Sequence, residues 1–385
     1  MIAAGGTGGH VYPALAVAEA LTPPPDPLPT TLRGGENSSP AVEVKIYYVG
    51  TVGGFERPLV DEAVKESGLR FVAYDEVRAG PLHGVPAWQV PISLFNLIVG
   101  FFQSLMLILK YKPRALLLTG GWVSVPVALA AWLLRVPSLI YLPDIEPGLT
   151  IKVLRPFARK VAVTTGESRT FIPEKQMVVT GYPLRREVLD AADKRDEAQA
   201  RFGLNREKKT LLVFGGSRGA RSINMALLEI LPDLLKDGVQ IIHATGTLDW
   251  ERVEAQKQAL GNPPDYHAYP YIHDMGMAFA AADLVVCRSG ASTLGELPLF
   301  GLPSILVPYP HAWRYQVVNA EYLTQRGAAA LMEDAKMGME LLPTIRDLLN
   351  DPAKLAQISA NARALARPDG ARCVGETLLR LGDAQ

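Results

Sequence analysis

Residues 210–222 read TLLVFGGSRGARS: a short apolar run of strand character, a glycine turn, and then the opening of a helix-like stretch. Strand, glycine turn and helix in that order form the unit from which helix-covered parallel sheets are built, with anions received at the turn. A second turn of this kind stands at the other end of the chain. Gly5-Gly6-Thr7-Gly8-Gly9-His10 precedes its counterpart by 210 positions, which predicts an α/β protein of two similar nucleotide-fold halves.

Working outward from the two turns, short apolar runs alternate with helix-like segments along the whole chain. The expected strands are 42–49, 70–74, 115–119, 138–142, 161–164, 177–180, 210–214, 240–245, 283–287 and 304–307. A charged stretch at 193–201 lies between the runs ending at Thr180 and beginning at Thr210, so the halves are expected to join there. The expected domains are 1–180 and 181–367, with a final helix at 368–385 packing back on the first. At roughly 100–200 residues per domain, 385 residues agree with two or three domains.

Charge and cysteine content remove several function classes. Thirty-nine basic side chains balance 39 acidic ones, so no global field draws the protein to nucleic acid, and none is expected as a partner. Cys287 and Cys373 lie 86 positions apart, and Cys287 ends an apolar run, which suits a buried strand thiol in a reducing compartment better than a disulfide or metal ligand. The N-terminus has no basic segment followed by a long apolar one, so no signal peptide is expected.

Two segments stand apart from the α/β series. Residues 22–40 hold six prolines and are expected to form a surface loop. From Val85 to Leu109 there is no formal charge, and the part from Ile92 to Leu109 is strongly apolar, with Lys110, Lys112 and Arg114 just beyond it. A membrane span needs about 20 such residues. Three readings stay open: a buried helix of the first domain, an interfacial helix that dips into a bilayer, and a true span. A span would interrupt an alternation that continues on both sides.

Four motifs carry chemistry. In the first turn the glycines allow close backbone approach to an anion or sugar hydroxyl, and His10 is the titratable side chain suited to general base work near neutral pH. Pro13 suits a first helical turn. The spacing is not that of a P-loop. The second turn adds the Ser217 hydroxyl and the guanidiniums of Arg218 and Arg221 to exposed amides, a combination suited to a diphosphate. Third, Cys287-Arg288-Ser289-Gly290-Ala291-Ser292-Thr293-Leu294-Gly295-Glu296 places small hydroxyl residues at another helix start, where they serve as caps or as phosphate and ribose partners. There Glu296 is placed to accept both ribose hydroxyls or to stay solvated. The fourth, residues 311–319, offers His311, Trp313, Gln316 and Asn319 at a further strand end.

These motifs, with Gly181-Tyr182-Pro183-Leu184-Arg185 and the run from Gly301 to His311, make the chain similar to the peptidoglycan N-acetylglucosaminyltransferases of glycosyltransferase family 28. The resemblance spans nearly the whole sequence. It implies a GT-B fold, two Rossmann-like domains facing a cleft, with UDP-N-acetylglucosamine as donor and an undecaprenyl-linked muramoyl-pentapeptide as acceptor. By position, Thr7, Gly8 and Gly9 would approach the donor's diphosphate and sugar, and His10 the reacting centre. Arg185 and Ser217 would meet the diphosphate, and Ile272 would frame the uracil through its backbone. Ala291, Ser292, Thr293, Leu294, Gly295 and Glu296 would hold phosphate and ribose, and Gln316 the sugar hydroxyls.

The chain departs from the family at Tyr141-Leu142-Pro143-Asp144, where a His-Glu-Gln-Asn run is common, so that Asp144 takes the place of an asparagine near the sugar. Tyr315 replaces the first glutamine of a usual pair, and the proline-rich insertion is also atypical. The implied reaction is an inverting transfer of N-acetylglucosamine to the 4-hydroxyl of the muramoyl sugar. No cofactor is expected, and no metal, since no D-x-D-like pair stands at a strand end. The implied location is peripheral, on the cytoplasmic face of the cell membrane, through the helix from about Ile92 to Leu109. A diacylglycerol glycosyltransferase, a UDP-sugar epimerase and a non-catalytic nucleotide-sugar-binding subunit share parts of the pattern.

Overall fold

The computed structural model describes residues 1–6, 8–22, 44–216, 219–311 and 314–384. The proline-rich loop therefore lies outside the described residues beyond Thr22, as do Thr7, Ser217, Arg218 and Trp313. The chain divides into two compact units, one of residues 1–143, 147–185 and 369–385, the other of 144–146 and 186–368. The division thus falls after Arg185 rather than 180, and three residues inside the first stretch belong with the second unit.

In the first unit the order is β1 (Ile2–Ala4), α1 (Gly8–Leu21), β2 (Tyr47–Thr51), α2 (Glu56–Ser67), β3 (Ala73–Val77), α3 (Val90–Tyr111), β4 (Leu116–Gly120) and α4 (Ser124–Leu133). Then follow β5 (Ser138–Leu142), α5 (Leu149–Leu154), β6 (Lys160–Val163) and β7 (Met177–Val179). The seven strands pair in parallel in the order β3-β2-β1-β4-β5-β6-β7. Ile2 lies opposite Tyr48 on one side and Leu117 on the other. Strand order therefore reverses at β1, and the crevice beyond the carboxyl ends of β1 and β4 is where an open parallel sheet receives ligand. The first glycine turn begins there.

The second unit runs α6 (Arg186–Asp190), α7 (Arg195–Arg201), β8 (Thr210–Phe214), α8 (Arg221–Lys236), β9 (Gln240–Ala244), α9 (Trp250–Ala259), β10 (Tyr266–Tyr269), α10 (Met275–Ala281) and β11 (Leu284–Cys287). It continues with α11 (Thr293–Phe300), β12 (Ser304–Leu306), α12 (Tyr315–Thr324), β13 (Ala330–Leu331), α13 (Met337–Leu349) and α14 (Pro352–Ala364). The last helix, α15 (Gly370–Asp383), returns to the first unit, where Gly375 packs against Leu21 of α1. The six-stranded sheet is parallel, ordered β10-β9-β8-β11-β12-β13, and reverses between β8 and β11. The second and third motifs leave those two strands side by side.

Strands buried on both faces carry nearly unbroken apolar runs, as parallel strands covered by helices must. Leu116, Leu117 and Leu118 of β4 and Leu211, Leu212 and Val213 of β8 are all buried. The Cys287 thiol is buried and unpaired, and burial pushes its pKa up.

Several sequence expectations need correction. The strand expected at 70–74 is Ala73–Val77, because pairing with β2 begins only where Tyr47 faces Ala73. The strand expected at 42–49 is Tyr47–Thr51, and residues 42 and 43 lie outside the described set. Strands β1, β10 and β13 were not anticipated: β1 and β13 have three and two residues, and Tyr-His-Ala-Tyr in β10 lacks an apolar run. Helix α1 starts at Gly8, so Pro13 sits in its second turn, where it cannot donate to the Gly9 carbonyl.

Nor is α3 a core helix, for its inner and outer faces are the reverse of what burial would select. Its buried positions are Ser93, Leu97, Gly100, Ser104 and Ile108, whereas Ile92, Phe95, Ile98, Phe102, Met106 and Leu109 are each at least half exposed. Gly100 makes this possible: a Cβ there would stand 1.9 Å from the Arg78 carbonyl oxygen. The helix thus rests on the unit through Leu97 and Ile108 together with the small residues Ser93, Gly100 and Ser104. It is long and apolar enough to cross a membrane, with 28% of its most apolar window buried.

Candidate active site

The first turn is built by close packing. Gly120, which ends β4, and Gly121 just beyond it have φ of +128° and +77°, conformations open to glycine. A Cβ on Gly120 would meet the His10 ring at 2.5 Å, and one on Gly121 would meet the Gly5 carbonyl at 2.2 Å. The Thr119 hydroxyl donates to the His10 carbonyl at 2.7 Å. Burial lowers the His10 pKa from its ordinary value, although its hydrogen bond to the Gly5 backbone pulls the other way. His10 is thereby held neutral, the form in which an imidazole accepts a proton.

Beneath the turn lies an acid that the sequence reading passed over. Glu56, at the first position of α2, is fully buried, and its Oε1 accepts from the Thr51 amide at the end of β2. Its carboxylate fills the space beside Gly5, Gly50 and Gly54. Nothing in its sequence neighbourhood marks it, because a glutamate in a first helical turn is ordinarily a solvated partner of the helix dipole.

Arg185 ends the stretch 147–185 of the first unit, its guanidinium carbon 4.5 Å from the centre of the Tyr12 ring. Tyr12 in turn packs on Gly8. Gly8 and Gly9 form the first turn of α1, so their amides belong to a helix N-terminus, a feature that favours negative charge.

In the second unit, α8 opens immediately beyond the second glycine turn and α11 opens within the third motif. Arg288 is a structural member of the third motif: it donates to Asp334 Oδ2 at 2.5 Å, to the Ser222 hydroxyl at 2.7 Å and to the Val307 carbonyl at 3.1 Å. This buried guanidinium ties the first turn of α8 to the end of β12. Thr293 spends its hydroxyl on the Gly290 carbonyl at 2.6 Å, and Leu294 and Gly295 are buried, with the amides of all three bonded to the carbonyls of Gly290, Ala291 and Ser292. Ala291, Ser292 and Glu296 remain partly accessible. Ile272 is buried, following β10. The Gln316 side-chain oxygen accepts from the Tyr309 amide at 2.9 Å, which leaves its NH2 group as the side-chain donor.

The departing run 141–144 separates into two roles. Tyr141 is a core residue whose hydroxyl meets the Thr164 hydroxyl at 2.8 Å, Thr164 itself donating to the Pro143 carbonyl at 2.7 Å. Asp144 instead accepts from Asn319 Nδ2 at 2.8 Å. Asn319 also donates to the Ser289 carbonyl at 3.2 Å and accepts from the Ile145 amide at 3.3 Å, so one buried amide fixes the segment 144–146 to the third motif. Burial raises the Asp144 pKa, against the opposing effect of the Asn319 hydrogen bond.

A pair of parallel sheets, each with a glycine-bounded helix start at its strand-order reversal, is the GT-B fold. Residues 39–163 match the glycosyltransferase family 28 N-terminal domain and 210–373 match its C-terminal domain. The chain belongs to glycosyltransferase family 28, and it is similar along nearly its whole length to relatives that carry a full enzyme name.

A protein of Roseiflexus sp. named UDP-N-acetylglucosamine--N-acetylmuramyl-(pentapeptide) pyrophosphoryl-undecaprenol N-acetylglucosamine transferase is 40% identical, over 96% of this chain and 91% of its own. One of the same name from Desulforudis audaxviator is 38% identical, over 96% and 94%. Among solved structures, Acinetobacter baumannii MurG superposes with a TM-score of 0.71 at 27% identity, covering 99% of this chain and 98% of that one.

Proposed function

We propose that the chain transfers N-acetylglucosamine from UDP-N-acetylglucosamine to the 4-hydroxyl of a muramoyl-pentapeptide carried on undecaprenyl diphosphate, with inversion at the anomeric carbon. The observation that carries this reading is the near full-length identity with transferases of that name, joined to glycine turns at both strand-order reversals. The second unit takes the nucleotide: Ile272 frames the base, the stretch from Ala291 to Glu296 takes ribose and phosphate, and Gln316 donates to the sugar. The first unit supplies the base, His10.

The acceptor hydroxyl attacks the anomeric carbon while its proton passes to His10, the C–O bond to the diphosphate breaks, and UDP leaves with the electron pair. Charge grows on the diphosphate. Amides at the helix N-termini, Ser217 and the Arg185 guanidinium are suited to receive it, since fixed dipoles and cations stabilise developing charge without reorganising. Thr7, Gly8 and Gly9 are residue types suited to the donor's diphosphate and sugar, and Asp144 offers a hydroxyl an acceptor where an asparagine would also donate.

The lipid acceptor places this enzyme at a bilayer surface on the cytoplasmic side, and the outward face of α3 is the surface suited to it. The deciding experiment incubates the purified chain with UDP-N-acetylglucosamine and a muramoyl lipid, with and without EDTA, and with diacylglycerol as the rival acceptor. Release of UDP with the muramoyl lipid alone is expected. Release only with diacylglycerol, or with neither, overturns the reading.

A further inference from the structure

A line of buried polar side chains runs through the second unit to the helix start beside the second glycine turn. Tyr266, His243, Asn224 and Asp249 are all buried. Asn224 Nδ2 donates to the Thr245 carbonyl at 2.8 Å and to Asp249 Oδ2 at 3.0 Å. Both are pure acceptors, so the amide orientation is fixed and Asn224 Oδ1 faces His243 Nε2, 3.0 Å away. Nε2 must then carry the proton. His243 Nδ1 is left to accept from the Tyr266 hydroxyl at 2.8 Å, and every bond in the line points toward Asp249. Burial pushes the His243 pKa down to about 3, which keeps that ring neutral.

The line ends at a guanidinium. Asp249 Oδ1 accepts from Arg221 Nε at 2.8 Å, and Arg221 is the first residue of α8. Its Nη groups have no partner among the described residues, and the side chain is 69% exposed against 4% for Asp249. A buried carboxylate in mid-line, with only its Nε-bound partner reaching solvent, is costly unless that partner is held in place. The line also supports the turn itself. A Cβ on Gly219 would stand 2.2 Å from the Thr245 carbonyl that Asn224 holds.

We propose that Asp249 is a positioning residue for the donor, fixing Arg221 by its Nε so that the Nη fork meets the diphosphate of the bound nucleotide. The proposal rests on the reading that this unit binds a uridine nucleotide. Arg221 is the contact, and Asn224 and His243 orient the carboxylate that aims it. A fork held on one side and open on the other is the geometry with which arginine takes a phosphate.

The test titrates the full chain with UDP and with uridine. Arg221→Gln is expected to weaken UDP by about 10-fold or more, the scale of a hydrogen bond to a charged group, and to leave uridine unchanged. Arg221→Lys, which keeps a cation beside Asp249 and so protects folding, should also weaken UDP while sparing uridine. Asp249→Asn should weaken UDP alone in the wild-type background and add nothing in the Arg221→Gln background. In turnover, KM for the donor should rise more than kcat falls. Unchanged UDP affinity in Arg221→Gln, additive losses in the double variant, or an equal loss of uridine would each overturn the proposal. A wild-type chain that binds neither ligand would overturn the nucleotide reading, and this proposal with it.

Discussion

The guanidinium of Arg185 lies over the face of Tyr12, with 4.5 Å between its central carbon and the ring centre. The aromatic residue Tyr12, just after the first glycine turn, thus sets where the cation of the Gly181–Arg185 motif stands. Such a contact is worth about 0.5–1 kcal/mol where partly exposed, a factor of roughly two to five. Tyr12→Phe keeps the ring and should keep turnover, whereas Tyr12→Leu should lower kcat by about that factor. Arg185→Ala should cost more than either, as measured by steady-state UDP release.

For His10, burial lowers the pKa, so the neutral base persists to lower pH than an ordinary imidazole would allow. The acid limb of the kcat/KM profile should therefore fall below the usual histidine range. His10→Ala should lose that limb and about 10²–10⁴-fold in rate. A variant retaining wild-type turnover would remove His10 from the base role.

Asp144 gives a stability prediction of defined sign. Its folded pKa is raised, so the folded state holds its proton more tightly than the unfolded chain does. The contribution is present in acid, below the unfolded value, and is lost as pH rises through the folded value. Asp144→Asn retains a carbonyl oxygen to accept from Asn319 and has no proton to lose. Denaturant titrations should find this variant at least as stable as the parent at pH 7, with its relative advantage shrinking toward pH 4.

Helix α3 gives a fourth. Phe102 is 58% exposed and Phe95 equally so, while Phe101 is half-buried against the core of the first unit. Phe95→Ser with Phe102→Ser should reduce flotation with anionic lipid vesicles by at least about 10-fold and leave the melting temperature within a few degrees of the parent. Phe101→Ser should instead lower the melting temperature. Unchanged flotation of the double variant would exclude this face as the lipid contact.

Much of this arrangement was legible in the order of residues. A glycine turn is written in sequence wherever backbone must approach backbone, and a buried parallel strand announces itself as an apolar run, as Leu211 to Val213 do. Short strands lack that run: Ile2–Ala4 is recognisable only through its pairing with Tyr48 and Leu117. Buried polar partnerships are quieter still. Arg288 and Asp249 look like solvated charges, because the groups that bond them come from distant parts of the chain, and Glu56 looks like one because its partner is a main-chain amide. Tyr141 shows the converse, a polar residue in the run that departs from the family pattern, whose hydroxyl is consumed within the core.

The inward stripe of Ser93, Gly100 and Ser104 leaves α3 no alternative seating. Rolling the helix to hide its phenylalanines would drive bulk into the Arg78 carbonyl, so its greasy side stays on permanent display. Handling of this protein will accordingly turn on amphiphile, since water meets an apolar face wherever neither lipid nor detergent covers it.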